Sequence, residues 1–443
     1  MAETIPSVNG ITVQGFKSIS KEQRIDICPL TLLAGANSSG KSSFLQPLLL
    51  LKQTLESPGD TGALLLDGPI VRFTSADQLL SKGMPDMSGD SFSLRIDCSD
   101  GSSLETRFQI RRGHGLEVVR MIYKTQNQTL DISPGMTHEA IIALLPTAIK
   151  KFANNVFPVS KEEPRWSITR DRCFLCFELS TPVTRNQRSP RAWFGKMLSP
   201  GVQFVPLIQS LIHLPGLRGN PLRNYPKTMT GPYFPGTFEQ YVASLIYQWQ
   251  TNKDQKLFEL GHELESLGLT WKVTAKAVAD TQVELHVGRL PHSQRGGAHD
   301  LVSVADVGFG VSQSLPVLVA LIAAEPGQLV YLEQPEIHLH PRAQRLLAHS
   351  LCRAANRGIV LVVETHSALL LREVQTLVAT GQISRNDIRL HWFQRNEQGS
   401  TIVNSTALNE EGAYGDWPQD FDLTELEAEQ AYLDAVEHKK TLS

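Results

Sequence analysis

The sequence predicts an α/β protein with a mostly parallel sheet flanked by helices, an N-terminal antiparallel β portion and a large mixed α/β insertion. Three observations carry that prediction. The segments "IDICPLTLLAG", "QLVYLE" and "IVLVVE" end in short apolar runs without the alternation of a sheet wetted on one face. Each is followed by residues with helical spacing. The first lies near the start of the chain and the other two beyond residue 325, so one parallel sheet is built from both ends of the chain around an insertion.

Each element follows from local chemistry. "ITVQGFKSIS" and "IDICPLTLLAG" read as strands, the second running into a Gly-rich turn. A helix over about Lys41 to Glu56 follows and is broken by "SPGDTG". Pro47 falls inside it, removes one backbone donor and predicts a local bend. Between Ser91 and Thr129, segments such as "SFSLRID" and "TRFQIRR" alternate and predict an antiparallel meander. Residues from about 135 to 295 mix both patterns around "LPGLRGNPLRNYPKTMTGPYFPG", whose Gly and Pro forbid long regular structure. From Ser312 the order is helix, strand "QLVYLE", helix "PRAQRLLAHSLCRAANRG", strand "IVLVVE" and helix "SALLLREVQTLVATG", with "DIRLHWFQRNEQGSTIVNSTAL" as a closing hairpin. The expected division is 1–90, the first half of the site-bearing domain; 91–295, the insertion; and 296–443, the second half with an acidic tail.

Composition bounds the function. With 443 residues, 41% of them hydrophobic, the chain can bury two or three cores. Met1 to Gly10 lacks the charged start and apolar run of a signal peptide, and Leu315 to Ala324 is far short of the roughly 20 residues that span a bilayer. A soluble cytoplasmic protein without a membrane role is the expectation. Five cysteines give no disulfide framework, and Cys173-Phe-Leu-Cys176 has no second pair to complete a zinc site, so ordinary half-buried cysteines are expected. The net charge of -3 hides an asymmetry: Pro164 to Thr228 holds ten Lys or Arg against two Asp or Glu, and Val403 to Ser443 holds two against ten. Two readings stand: solvated faces, or a phosphate-binding middle (164–228) that is a candidate surface for DNA.

The chemistry concentrates at strand ends. "GANSSGKSS", Gly35 to Ser43, matches G-x-x-x-x-G-K-[ST] between an apolar strand and a helix. Backbone N–H groups around Gly35, Asn37, Ser38, Ser39, Gly40 and Ser43 can cradle phosphates, Lys41 can reach the β- and γ-phosphates, and Ser42 can ligate magnesium. ATP and Mg2+ are therefore the expected cofactors. Glu333 ends "LVYLE", where a carboxylate can hold magnesium through water. His366, after "IVLVVET", can sense the γ-phosphate or orient water, unless it is a packed histidine. In "DVGFGVSQSLP", Gly308 and Gly310 free the backbone, Ser312 can cap the next helix, and the exposed N–H groups favour an anion. One helix tip cannot be the tip that already holds the phosphates. The consistent arrangement sets it against the ATP of a second copy, in a head-to-tail dimer; a plain turn before a helix is the alternative.

"FKSI", "LLAGANSSGKSSFLQPLLLLKQ", "DVGFGVSQSLPVLVAL", "LVYLEQPEIHLHPRAQ" and "VVETHSALLL" together resemble the ABC-type ATPase heads of SMC-like and OLD (overcoming lysogenisation defect) proteins, bacterial AAA-type ATPases. The resemblance covers both ends of the chain and is weak over the central 200 or so residues, where "LPGLRGNPLRNYP" is similar to a recurrent loop of no obvious role. It implies an ABC-type head in which Gly35 to Ser43 is Walker A, Gly308 to Gln313 (with Gly310, Ser312 and Gln313 at the nucleotide) is the signature element, Glu333 the Walker B acid and His366 the switch histidine. His338 to Pro341 falls at the D-loop between subunits; His338 and His340 alone make no metal site. Gln78 stands where a Q-loop can occur.

In such heads a glutamate after the Walker B acid polarises the attacking water, and here Gln334 stands in its place. An amide orients water but takes no proton. Either Glu336 or His366 compensates, or turnover is slow and the ATP-bound dimer long-lived. Three functions follow. The first is a scaffold or sensor, a dimer or higher oligomer controlling a separate nuclease or other effector in anti-phage defence; only 77 residues follow His366, too few for a Toprim nuclease plus the tail. The second is a DNA-repair or recombination ATPase that clamps duplex. The third, a transporter subunit, is opposed by the long gap between the Walker elements and by "EQPEIHLHP".

Overall fold

The computed structural model describes residues 6–82, 89–111, 115–145, 165–180, 193–290 and 300–415, with positions 292 and 430. Most of the acidic tail and residues 181–192 of the basic stretch lie outside the described residues.

The central sheet has six strands in the order Ile212–Leu214, Leu329–Glu333, Val360–Glu364, Leu30–Gly35, Ile388–Arg395, Thr401–Thr406. The first five run parallel and the last pairs antiparallel as the closing hairpin. Every residue of Leu30–Gly35 and Val360–Glu364 is buried. Period two sorts the side chains between two cores: Leu30, Leu32, Val330, Leu332, Leu361 and Val363 enter one, while Leu33, Leu329, Tyr331, Val360 and Val362 enter the other. The first core is covered by helices Val242–Asn252, Phe309–Ala323, Pro341–Asn356 and Ala368–Ala379. The second is covered by helix Lys41–Glu56 and by an antiparallel sheet. Continuous apolar runs are what a sheet covered on both faces requires.

Helix Lys41–Glu56 runs through Pro47 and is buried around most of its circumference. Even Lys52 is fully buried there, its ammonium held by Glu56 at 2.5 Å and the Gln209 carbonyl at 2.9 Å. The antiparallel sheet carries the expected meander from Ser91 onward, Ser91–Cys98, Ser103–Arg111, Gly115–Lys124 and Thr129–Ile132, beside Val8–Gln14.

Two expectations need correction. "IDICPLTLLAG" is two strands in two sheets: Gln23–Asp26 pairs with Val8–Gln14, and Leu30–Gly35 enters the central sheet. Pro29, without an N–H, stands at the break, and Cys28 N donates to Thr31 Oγ1 at 3.0 Å. The stretch 91–295 contributes the edge strand Ile212–Leu214 to the central sheet, three residues too few to show a period in sequence. Cys173 and Cys176 are buried. No helix among the described residues is long and apolar enough to cross a membrane.

Candidate nucleotide-binding site

Glycine shapes the loop between the Leu30–Gly35 strand and its helix. Gly35 has φ 137° and Gly40 φ 106°; a Cβ on the first would collide with the Phe393 carbonyl oxygen and on the second with Thr401 Oγ1. Asn37 and Ser38 are exposed, Ser39 is buried, and Ser42 and Ser43 are half-buried. The closing hairpin braces this loop: Arg395 Nε donates to the Ser38 carbonyl and Thr401 Oγ1 to the Ser39 carbonyl, both at 2.7 Å. The 16-residue helix that follows has no side-chain cap and no acid in its first turn, which leaves its leading N–H groups and positive end for an anion. Lys41 is buried, donating to the carbonyls of Gly35 at 3.0 Å and Ala36 at 2.8 Å. Burial draws its pKa down against the charges of Glu364 and Glu336. A triphosphate fits this donor set.

Strand order decides which carboxylates approach the loop. Val360–Glu364 lies between Leu30–Gly35 and Leu329–Glu333, with Glu364 level with Leu33 on one side and Glu333 on the other. Ser42 Oγ donates to Glu364 Oε1 at 2.9 Å, and the Tyr331 hydroxyl donates to Oε2 at 3.1 Å. Glu333 is engaged from the opposite strand: His213 Nε2 reaches its Oε1 at 3.0 Å and Gly216 N its Oε2 at 3.3 Å. Burial and the neighbouring Glu333 push the Glu364 carboxyl up. Burial also lifts Glu333, but the His213 contact and the Gly216 N–H outweigh it and hold the group below its ordinary range.

Glu336 and His366 are joined through the backbone. Glu336 Oε1 accepts from Thr365 Oγ1 at 2.7 Å and His366 N at 2.8 Å; Oε2 has no partner among the described residues. Burial raises the Glu336 pKa. The His366 ring is half-buried, and burial together with the Lys41 charge lowers its pKa. Gln334 has a left-handed backbone, φ 44°, its N–H on the Glu364 carbonyl at 2.7 Å and its carbonyl accepting from Arg218 Nη2 at 3.1 Å. Such a conformation in an L residue costs about 1–3 kcal/mol and clusters at working sites.

Lys41, Ser42, Glu336 and His366 are thus gathered on one side of the sheet ends, with Glu333 and Gln334 one strand further out. The glycine-containing element behaves differently from expectation. Helix Phe309–Ala323 starts three residues before Ser312, with Gly308 as its cap, and neither Gly308 nor Gly310 takes left-handed backbone. Ser312 is therefore no cap: its Oγ donates to the Phe309 carbonyl at 3.2 Å within the first turn. A side chain three residues inside the helix cannot reach back to N2 or N3 as a capping oxygen does. Gln313 is buried, its amide spent on Gly219 at 3.1 Å and Arg218 at 3.4 Å. Gly310 and Ser312 border cavities of about 770 and 350 Å³ whose linings include no phosphate-loop residue.

Gln78 is exposed and closes on Thr74, its two bonds both 3.0 Å. His338 packs its ring 5.6 Å from Phe309, and His340 caps helix Pro341–Asn356 through Nδ1 to Arg342 N at 3.3 Å. The described basic residues are spent largely on the chain itself: Arg170 on Asp60, Arg172 on the Leu55 carbonyl, Arg223 on Asp306, and Arg218 in the interior.

Sequence reasoning missed Glu364, whose signal was the acid before Thr365 at a strand end. It also missed His213 and Arg218, which give the "LPGLRGNPLRNYP" region its role: these residues and Gly216 hold Glu333, Gln334 and Gln313 in place.

A family model described as "AAA domain, putative AbiEii toxin, Type IV TA system" matches residues 30–113 and 212–372. No curated protein matches the chain significantly. Similar solved structures include an Smc head bound to the C-winged helix domain of ScpA (12% identity, 91% of this chain and 99% of that one, TM-score 0.48). An SMC head domain from Thermotoga maritima follows at 10% identity, with coverage of 90% and 98% and a TM-score of 0.41. An Smc head with an extended coiled coil bound to the C-terminal domain of ScpA, derived from Pyrococcus furiosus, has 11% identity, coverage of 98% and 100%, and a TM-score of 0.43.

Proposed function

We infer the function from one premise: this chain belongs to the AAA-domain family that its two matched stretches define, and is an ATP-binding ATPase. In this reading ATP lies along Gly35 to Ser43, with Lys41 turning from the loop carbonyls to the β- and γ-phosphates. Ser42 and, from one strand further out, Glu333 would hold magnesium. Magnesium would neutralise phosphate charge. His366 and Glu336 lie on the γ-phosphate side. The observation that carries the reading is the glycine-shaped loop leading into an uncapped helix, with Lys41 buried near Glu364 and Glu336.

Turnover is slow because Gln334 cannot take a proton, and the ATP-bound form is a dimer in which the Gly308–Ser312 helix start meets the partner's nucleotide. The lack of a side-chain cap on that helix, the 52% exposure of Phe309 and a neighbouring cavity lined by no residue of the chain's own loop support this. A long-lived ATP dimer suits a scaffold or sensor that holds a separate effector, a nuclease in anti-phage defence. The family description names a putative toxin of a Type IV TA system, which suits a role in a defence-type system.

Lys41→Ala is expected to weaken ATP binding by about 100-fold, read by fluorescent-nucleotide titration. The same variant should abolish phage protection in cells carrying the gene with its natural neighbours. A wild-type chain without ATP affinity sinks the reading. ATP-dependent retention of duplex DNA at physiological salt, without protection, favours a DNA clamp instead.

A further inference from the structure

We propose that Glu364, one strand inward from Glu333, is the carboxylate that shares the magnesium position with Ser42, and that Glu333 is an outer partner held off by His213 and Gly216. The assignment rests on the ATPase reading above and adds a residue that no nucleotide-site motif in this sequence names.

Three observations carry it. The first is topological. Ser42 follows the Leu30–Gly35 strand, and Val360–Glu364 is that strand's immediate neighbour, whereas Leu329–Glu333 is the next one out. Adjacent strands lie about 4.8 Å apart, so a carboxylate two strands away starts at about twice that distance. The second is the contact itself. Ser42 Oγ and Glu364 Oε1 are 2.9 Å apart. Two neighbouring oxygen ligands of an octahedral magnesium, each at about 2.0–2.1 Å, stand about 2.9 Å from one another. The pair therefore holds the separation that sharing one ion requires, and a proton is displaced from the hydrogen bond rather than a side chain moved.

The third concerns what each acid is free to do. Both oxygens of Glu333 already accept from protein donors, His213 Nε2 and Gly216 N. His213 is itself fixed, stacked on Tyr331 with ring centroids 5.2 Å apart. Glu364 Oε2 accepts from the Tyr331 hydroxyl and Oε1 from Ser42 Oγ, so the one oxygen left facing the loop is held by the very residue with which it would share the ion. Tyr331 thus acts as a positioning residue for one acid while its ring backs the histidine that holds the other.

The test compares affinity for a fluorescent ATP analogue in EDTA and in excess magnesium for the wild type, Glu364→Gln, Glu364→Asp and Glu333→Gln. Thermal melts check that each is folded, and the aspartate variant preserves charge where the glutamine variant fails to fold. The wild type is expected to gain about tenfold or more from magnesium. Both Glu364 variants should keep the EDTA affinity and lose most of that gain, while Glu333→Gln loses the smaller part of it. A gain preserved in the Glu364 variants, or lost equally or solely in Glu333→Gln, overturns the assignment while leaving the ATPase reading intact. A wild type that binds no nucleotide even in EDTA overturns both.

Discussion

Gln334 combines two properties at one position: an amide where a base is expected, and a left-handed backbone pinned by the Glu364 carbonyl and by Arg218. The pinned backbone fixes where the side chain starts, so replacing the amide by a carboxylate changes the chemistry without changing the placement. Loss of a general base commonly costs about 10²–10⁴ in rate. Gln334→Glu is therefore expected to raise steady-state ATP hydrolysis by about 100-fold or more. An unchanged rate would transfer the role to Glu336, whose Oε2 has no partner among the described residues, or to His366. The glutamine itself was legible in "EQPE"; its left-handed backbone and the arginine behind it were not, because the bonds that hold them come from the end of a neighbouring strand and from a loop more than 100 residues away in sequence.

At the scale of elements, the closing hairpin does more than end the sheet. Ile388–Arg395 extends the parallel register beside Leu30–Gly35, and its last residue and the first of the return strand supply bonds that hold the phosphate loop. His391 in that hairpin is fully buried; Nε2 donates to the Asp26 carbonyl at 2.8 Å, so Nδ1 accepts from Ser405 Oγ at 2.7 Å and the ring is neutral. Burial takes its pKa down to about 4 from an ordinary 6.5. Between those values the unfolded chain binds a proton that the folded chain does not, so stability falls as pH drops through 6.5 toward 4 and this contribution is flat below. The loss from pH 7 to pH 5 is on the order of 2 kcal/mol. Denaturant midpoints at the two pH values should show a smaller drop for His391→Gln than for the wild type; equal drops would clear His391 of the effect.

At the scale of the whole molecule, the glycine-containing helix start borders cavities whose linings include no residue of the Gly35 to Ser43 loop. Two copies closing head to tail would bring helix start and loop together, with exposed Phe309 and His338 on the approach. Phe309→Asp places a charge there and is expected to abolish magnesium-ATP-dependent pairing in sedimentation velocity. Pairing that survives this change would place the contact elsewhere. Arg223 and Asp306, paired at 2.7 Å near the same helix start, tie the central basic stretch to it.

The amino-acid order alone determined three of the buried parallel strands (Leu30–Gly35, Leu329–Glu333 and Val360–Glu364), the helix from Lys41 to Glu56, the meander and the phosphate loop, because each is written in contiguous residues whose period or glycine content has one local solution. Tertiary structure decided which acid meets Ser42, what holds Glu333 and why Gln313 turns inward. Those outcomes depend on strand order and on a loop from the middle of the chain, and neighbours brought together across hundreds of residues leave no periodic trace in sequence.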